Sequence, residues 1–285
     1  MAGRMSRTLT LGHPLWTAAD GTYDELVSLL PLCLRLSLWA TAAYAGHLSV
    51  QEAVVRAHPD LDPVTGDLGR LSLWRELGER AVLVALPRPG NLSGMPRGST
   101  EFTGAATEAG ECVYVPSIGA ALVPTIEHFG PADDQGTGVT WSAYDCDPVP
   151  VHALEALSLS EIDQRFRQEL LDQTRAIEDL DALPWAGSPF RSMADELSLV
   201  QWGLPAGMPP RATKIITSAA SVAMATELGL SDEAQSQILT GLVAQRRHQA
   251  LADLDASAER AMAAAATVAA LALAGLRPGR SDSPR

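Results

Sequence analysis

The spacing of hydrophobic and polar positions predicts helices at the start of the chain. From residue 22 to residue 46, apolar side chains fall on almost every side of a helical projection, which is typical of a buried helix. Pro31 lies inside this stretch and should kink it. Ser49 and Glu52 form a capping box that begins a shorter helix. Residues 60–67, which follow, are predicted to form a turn because they are rich in Asp, Pro and Gly.

The centre of the chain has short runs rich in Val, Tyr and Trp that are bounded by Gly and Pro. Four of these runs occupy residues 81–86, 111–116, 120–126 and 138–145, and their composition predicts strands. Because only short connections separate the last three, we expect an antiparallel meander. The pattern therefore predicts a small, mostly antiparallel sheet of about four strands.

After Pro150 the apolar positions recur with the helical period of 3.6 residues. This spacing predicts a charged amphipathic helix over residues 159–181 and further helices over 188–203, 211–228 and 232–276. The last segment is either one long helix or a helical hairpin. Together with the central runs, these patterns predict an α+β fold, with N-terminal helices, a small sheet and a helical C-terminal half.

We expect the chain to divide into two regions near residue 150. Residues 20–150 would form the α+β region with the central sheet, and residues 151–276 would form a helical region packed on it. A chain of 285 residues is long enough to bury a core of this kind. Residues 1–19 and 277–285 lack the apolar periodicity and are expected to be flexible termini.

The composition argues against several classes of partner and site. The formal net charge is −13, whereas nucleic-acid binding requires a cationic surface, so we expect no nucleic-acid partner. The three cysteines, Cys33, Cys112 and Cys146, are widely spaced and form no metal-ligand motif with the histidines. No metal and no cofactor are therefore predicted. This cysteine usage fits a reducing, cytoplasmic compartment.

Two apolar segments have the composition of membrane anchors but fit buried helices better. Residues 26–46 contain Pro31 and Arg35, and no basic segment of the kind that begins a signal peptide lies directly before them. Residues 261–276 are rich in Ala and are shorter than the ~20 apolar residues that span a bilayer. We therefore expect no membrane segment and a cover for residues 261–276 from the chain's own apolar helices.

The glycine-rich loop over residues 86–102 lies between a predicted strand and a predicted helix, as phosphate-binding loops do. It lacks the lysine of a Walker A loop and the glycine spacing of a Rossmann loop. Its side chains would bind an anion at the helix N-terminus, or Ser99 would only cap that helix. We favour the cap, because Glu101 in the first turn would repel an anion. The candidate ligand-binding residues of this loop are Arg88, Arg97, Ser99 and Thr100.

His128 is the remaining candidate for chemistry and begins a second loop, over residues 127–137. It would act as a general base or as a further ligand for the same small molecule. A single histidine without a visible partner is more often a polar residue at the mouth of a loop, and we favour that interpretation. No residue is assigned a catalytic role, and the sequence leaves open whether the chain is an enzyme.

The segments LPRPG, GMPRG, AGE and GAALVP follow one another across residues 86–124. This stretch resembles a set of uncharacterised actinobacterial proteins in which turns rich in Pro and Gly precede an AGE motif and a GxxLVP strand. The resemblance implies a bacterial, intracellular protein and implies no catalytic residue.

Two functions therefore remain open. We favour a soluble, non-enzymatic interaction or regulatory protein that contacts a protein partner, or a second copy, through helices 159–181 and 231–276. The alternative is an enzyme or binding protein for a small anionic ligand, which would use the loops 87–100 and 127–137. Convergence of the two arginines with His128 or Asp133 in one concave pocket would favour the alternative, and loops that extend into solvent would favour the interaction role.

Overall fold

The computed structural model describes residues 30–131, 135–178, 203–230 and 241–277. Within these residues the chain has eight helices and a five-stranded mixed sheet. The predicted α+β fold, with N-terminal helices and a helical C-terminal half, is confirmed. The expected flexible termini lie almost entirely outside the described residues.

The helices before the sheet begin where the sequence places caps. Ser49 Oγ accepts a hydrogen bond from the Glu52 backbone N–H at 3.1 Å, as the predicted capping box requires. Pro31 directly precedes the first described helix with φ of −49°, so it does not kink this helix. Residues 22–29 of the predicted helix lie outside the described residues. The helices of this half are α1 (Leu32–Tyr44), α2 (Val50–Ala57), α3 (Arg70–Glu76) and α4 (Thr100–Ala109).

The strands have the order β1-β5-β4-β3-β2, and only β1 runs parallel to its neighbour. The predicted antiparallel meander is confirmed as β3, β4 and β5. The sheet has five strands where about four were predicted, because β1 lies in the predicted turn over residues 60–67. This strand is too short to show an alternating pattern. The strands are β1 (Val64–Gly66), β2 (Leu83–Ala85), β3 (Cys112–Val115), β4 (Ala120–Phe129) and β5 (Gly136–Asp145).

Helices cover both faces of the sheet. The Phe102 ring on α4 lies 5.8 Å from the Tyr144 ring, and the His58 ring after α2 lies 5.7 Å from the Trp141 ring. Tyr144 and Trp141 are three residues apart on β5, so their side chains point to opposite faces. It follows that α4 packs on one face and the α1–α2 pair on the other.

The helical half packs against the sheet region through its last helix. The last helix, α8 (Gly241–Leu273), contacts α6 (Leu159–Glu178) and α7 (Pro210–Leu230) within the helical half. It also contacts α1 and β2 of the sheet region. Residues 241–273 form one continuous helix. Residues 232–240 of that predicted segment, and almost all of the predicted helix over 188–203, lie outside the described residues. The helices of this half are α5 (Val151–Glu155), α6 (Leu159–Glu178), α7 (Pro210–Leu230) and α8 (Gly241–Leu273).

The Ala-rich part of α8 lies in the core, as the sequence predicts. Ala265, Ala266 and Ala269 are fully buried, in the same apolar cluster as side chains of α1 and the sheet. Small side chains allow neighbouring helices to approach closely, and α1 and α7 supply the expected cover. The segment Gln245–Leu273 is long and apolar enough to span a membrane by composition, but 72% of its most apolar window is buried inside the protein.

Candidate functional site

The glycine-rich loop begins with a tight turn that fixes Arg88. The backbone N–H groups of Arg88 and Asn91 each donate to the other residue's carbonyl at 2.8 Å. Pro89 and Gly90 occupy the tip of the turn, and Gly90 has φ of +82°, a conformation that glycine adopts without strain. The turn holds Arg88 at a fixed position, just beyond Leu86 and Pro87, which follow β2.

The Arg88 side chain is engaged by carboxylates of the chain itself. Its Nε and Nη2 donate to the Glu259 carboxylate on α8, with Nε lying 2.9 and 3.0 Å from the two oxygens. Asp255, one turn earlier on α8, lies 3.8 Å from Nη2 and accepts a hydrogen bond from Thr226 on α7 at 3.1 Å. The bidentate Arg88–Glu259 pair joins the loop to α8. The Asp255–Thr226 hydrogen bond joins α8 to α7 beside it.

The carboxylates around Arg88 are protonated more readily than ordinary carboxyl groups. Burial raises the pKa of Glu259 and of Asp255, and the Arg88 guanidinium only partly opposes this effect. Burial, with the nearby Asp255 charge, also raises the pKa of Glu227 to about 7. Arg88 therefore compensates buried negative charge of the fold and does not present a free cation to an anionic ligand.

The other residues of the loop face solvent or cap a helix. Ser99 Oγ accepts a hydrogen bond from the Phe102 backbone N–H at 3.0 Å, which is the capping role that we favoured. Arg97 and Thr100 are exposed. Gly98 pairs with Cys146 at the end of β5. The loop is thus ordered by its own cap and by the sheet edge.

His128 lies at the other end of the sheet from this helix N-terminus. It is paired with Thr137 on β5, and its Nδ1 lies 3.1 Å from Thr137 Oγ1. From Thr137 to Cys146 the strand covers roughly 30 Å at ~3.4 Å per residue. His128 therefore does not share a pocket with Ser99 or Thr100, and Asp133, the other residue expected to join the arginines, lies outside the described residues.

The comparisons with known proteins identify the family. The family model for the Rv1486c-like protein, N-terminal domain, matches residues 33–157, and that for the C-terminal domain matches residues 160–263. The chain belongs to the Rv1486c-like family. Comparison with curated proteins and with solved structures gave no match. Both matched segments of this Rv1486c-like chain contribute to one apolar core. The division of the chain into two regions near residue 150 stays a prediction.

Beneath α1, this family member has a buried polar group that sequence reasoning did not identify. Glu111 directly precedes β3, and its Oε2 accepts a hydrogen bond from the Cys33 backbone N–H at 2.7 Å. Arg35, also buried, donates from Nη1 to Asp60 at 3.1 Å. Burial raises the pKa of Glu111 to about 7, although the Cys33 N–H and the Arg35 charge oppose this shift. Glu111 thus supplies an acceptor for one of the backbone N–H groups that have no partner within the helix at the buried start of α1.

His58 is a second buried group with a structural role. Its Nδ1 lies 2.6 Å from the Val54 carbonyl, and Trp141 Nε1–H donates to its Nε2 at 3.1 Å. This pattern assigns the proton to Nδ1 of a neutral ring. Burial lowers the pKa of His58 to about 4, and the Arg35 charge adds to the shift. His58 therefore connects α2 to the sheet as a neutral group.

The three cysteines are poorly placed for nucleophilic chemistry. Cys33 and Cys112 are buried, and Cys146 is partly buried. Burial raises the pKa of all three thiols, to about 12 for Cys146. A thiol is reactive as its thiolate, so these shifts oppose reactivity. The burial of Cys33 agrees with its predicted position in an apolar helix.

In the part of the chain that the structure describes, an open depression of about 350 Å³ lies between the start of α2 and α3. It is lined by Val50, Ser72, Arg75 and Glu76, and none of the predicted ligand-binding residues takes part. Among the described residues, no group of three or more His, Cys, Asp or Glu side chains is placed to hold a metal ion.

Proposed function

We propose that this Rv1486c-like chain is a non-enzymatic interaction protein that contacts its partner through one side of α6, here called the outer face of α6. The observation that carries the proposal is that this face is exposed along the whole helix while the opposite face is anchored in the protein. At ~100° per residue, its members fall within an arc of about 120°. The outer face of α6 consists of Glu161, Gln164, Arg165, Gln168, Leu171, Asp172 and Arg175.

The composition of this face suits a contact surface. Leu171 is 52% exposed and is surrounded by charged and amide side chains. An apolar group within a polar rim is the usual arrangement of a protein–protein interface. The same charged, amphipathic pattern led us to expect contacts through helix 159–181.

The opposite side of α6 holds the helix in place. Phe166 and Ile177 are buried. Asp163 accepts a hydrogen bond from Arg211 of α7 at 3.2 Å, and Glu169 accepts one from Ser257 of α8. A surface on a rigid element loses little conformational entropy when it binds, which favours recognition by this helix.

The second helix that we expected to make contacts offers less surface. The apolar part of α8, from Ala261 to Ala274, is largely used by the chain's own core. The proposal therefore rests on α6 and not on the 231–276 segment. The cytoplasmic location, the actinobacterial origin implied by residues 86–124, and the lack of a nucleic-acid or membrane partner stay predictions.

The alternative function finds less support in the geometry. A small anionic ligand would need free cations in one cleft, but Arg88 is bound to Glu259, and His128 lies far from the α4 N-terminus. A screen of phosphorylated metabolites by thermal shift tests this alternative. A rise in Tm that is lost in Arg97→Ala would favour it over the interaction role, because ligand binding to the native state stabilises it.

Site-specific cross-linking in cells tests the proposed contact surface. A photo-reactive amino acid at Leu171 should give discrete cross-linked species, and the same amino acid at the exposed Glu108 on α4 should give none. Both positions are on helix surfaces, so the pair controls for non-specific capture. If position 171 cross-links no more than position 108, the outer face of α6 is not a contact surface.

A further inference from the structure

We propose that the outer face of α6 binds the same face of a second copy of this chain, antiparallel and centred on Gln168. This inference rests on the proposed interaction role and names the partner. Glu161 lies seven residues before Gln168, and Arg175 lies seven residues after it. When two copies of the helix pair antiparallel about Gln168, the acidic end of one copy therefore lies beside the basic end of the other.

The two-fold arrangement places opposite charges against each other. Glu161 of one copy faces Arg175 of the second copy. Arg165 of one copy faces Asp172 of the second copy. Leu171 faces Gln164, so the leucine is covered by the stem of an amide side chain. In a two-fold interface each contact occurs twice. A parallel arrangement in the same register would instead set Glu161 against Glu161 and Arg175 against Arg175.

The charges that this arrangement needs are available. Glu161, Arg165 and Arg175 are exposed and make no ion pair with the part of the chain that the structure describes. Arg167, which is not on the outer face, is already paired with Asp163 at 2.8 Å. Asp172 makes no ion pair with a described residue but accepts a hydrogen bond from Gln168 Nε2 at 3.0 Å. Among the described side chains of α6, the charges without an ion pair thus lie on the outer face of α6.

The size of the face sets the strength of the contact. A helix of 20 residues is ~30 Å long, and at a width of ~10 Å it offers ~300 Å² per copy. Stable complexes bury ~800 Å² per partner, and exposed ion pairs add little affinity. The dimer is therefore weak and forms at high protein concentration.

Charge exchange gives a test that a non-specific contact would not pass. Glu161→Arg and Arg175→Glu should each weaken self-association by at least about tenfold, because each replaces two attractions by two repulsions. The double variant E161R/R175E has the wild-type net charge and should associate like the wild type. A mixture of the two single variants should form a heterodimer, because both of its ion pairs are restored.

Sedimentation velocity over a wide concentration range measures each of these states. Glu101→Arg, on the exposed start of α4, makes the same charge change elsewhere and should leave self-association unchanged. Equal association of all variants, or a wild type that is monomeric throughout, would overturn the proposal. If the wild type is monomeric while position 171 still cross-links to another protein, the interaction role stands and only the self-contact fails.

A second variant covers the case in which the charge variants fold poorly. Gln168→Cys in a Cys146→Ser background places a thiol at the centre of the two-fold contact. A short bis-maleimide should join two copies at this position and should join far fewer when the thiol is at position 108. Equal yields at the two positions would contradict the arrangement.

Discussion

Glu111 shows how a buried ionisable residue contributes to this fold. It accepts a hydrogen bond from the Cys33 backbone N–H at the start of α1, a role that a neutral carboxyl group can also fill. Burial raises its pKa from an ordinary value of 4.5 to about 7. A raised pKa in the folded state means that the protonated form is the stabilising one. This contribution is complete below about pH 4.5 and is lost as the pH rises to about 7.

Replacing Glu111 by Gln tests this account. Gln keeps a carbonyl acceptor for the Cys33 N–H but cannot ionise. We expect the free energy of unfolding of E111Q, relative to the wild type, to increase by a few kcal/mol between pH 5 and pH 8. Urea unfolding at the two pH values measures the change. The exposed Glu108→Gln variant should show no such trend, and a pH-independent difference for E111Q would refute the assignment.

Arg88 stabilises the fold through its ion pair with Glu259 on α8. Arg88→Ala leaves the mostly buried Glu259 without compensation, so we expect a loss of about 1–3 kcal/mol, reduced because Arg88 itself is 45% exposed. The double variant R88A/E259Q should recover much of this loss, since no buried charge remains. The free energy of unfolding of Arg88→Lys should lie between those of R88A and the double variant, because lysine keeps the positive charge but cannot bind both carboxylate oxygens. Chemical unfolding gives the four values, and a double variant as unstable as R88A would contradict the account.

Sequence reasoning succeeded for residues with local partners and failed for those with distant ones. Ser99 was predicted to cap α4 because its partner, the Phe102 N–H, is three residues away. Arg88 was predicted to be a candidate ligand because nothing nearby in sequence shows that Glu259 faces it. Glu111 gave no signal beyond its place in the AGE motif. Partners that only tertiary packing brings together cannot be identified from periodicity or caps.

At the scale of elements, the amphipathic character of α6 followed from the sequence, because its apolar residues recur with the helical period. The charges did not define the outer face, since Asp163 and Glu169 contact α7 and α8 instead. The strands of the meander were predicted because each run of β-branched and aromatic residues is bounded by turn residues. β1 was missed because three residues cannot show a period of two. Its pairing depends on β5, which lies far along the chain.

At the scale of the whole molecule, α8 joins the two halves. Its Ala-rich part lies in the same apolar cluster as residues of α1, β2 and α7, so residues from both family-matched segments share one core. Apolar residues removed from water supply most of the stability of such a core. The sheet region and the helical region should therefore unfold together.

C-terminal truncation tests this central claim of one shared core most directly. Deleting residues 261–285 removes Ala265, Ala266 and Ala269 from the interior, whereas deleting residues 278–285 leaves every described contact in place. We predict that the longer truncation loses its cooperative thermal transition by circular dichroism and aggregates, and that the shorter one keeps the wild-type Tm. A longer truncation that remains monomeric, with an unchanged cooperative transition, would contradict the shared core.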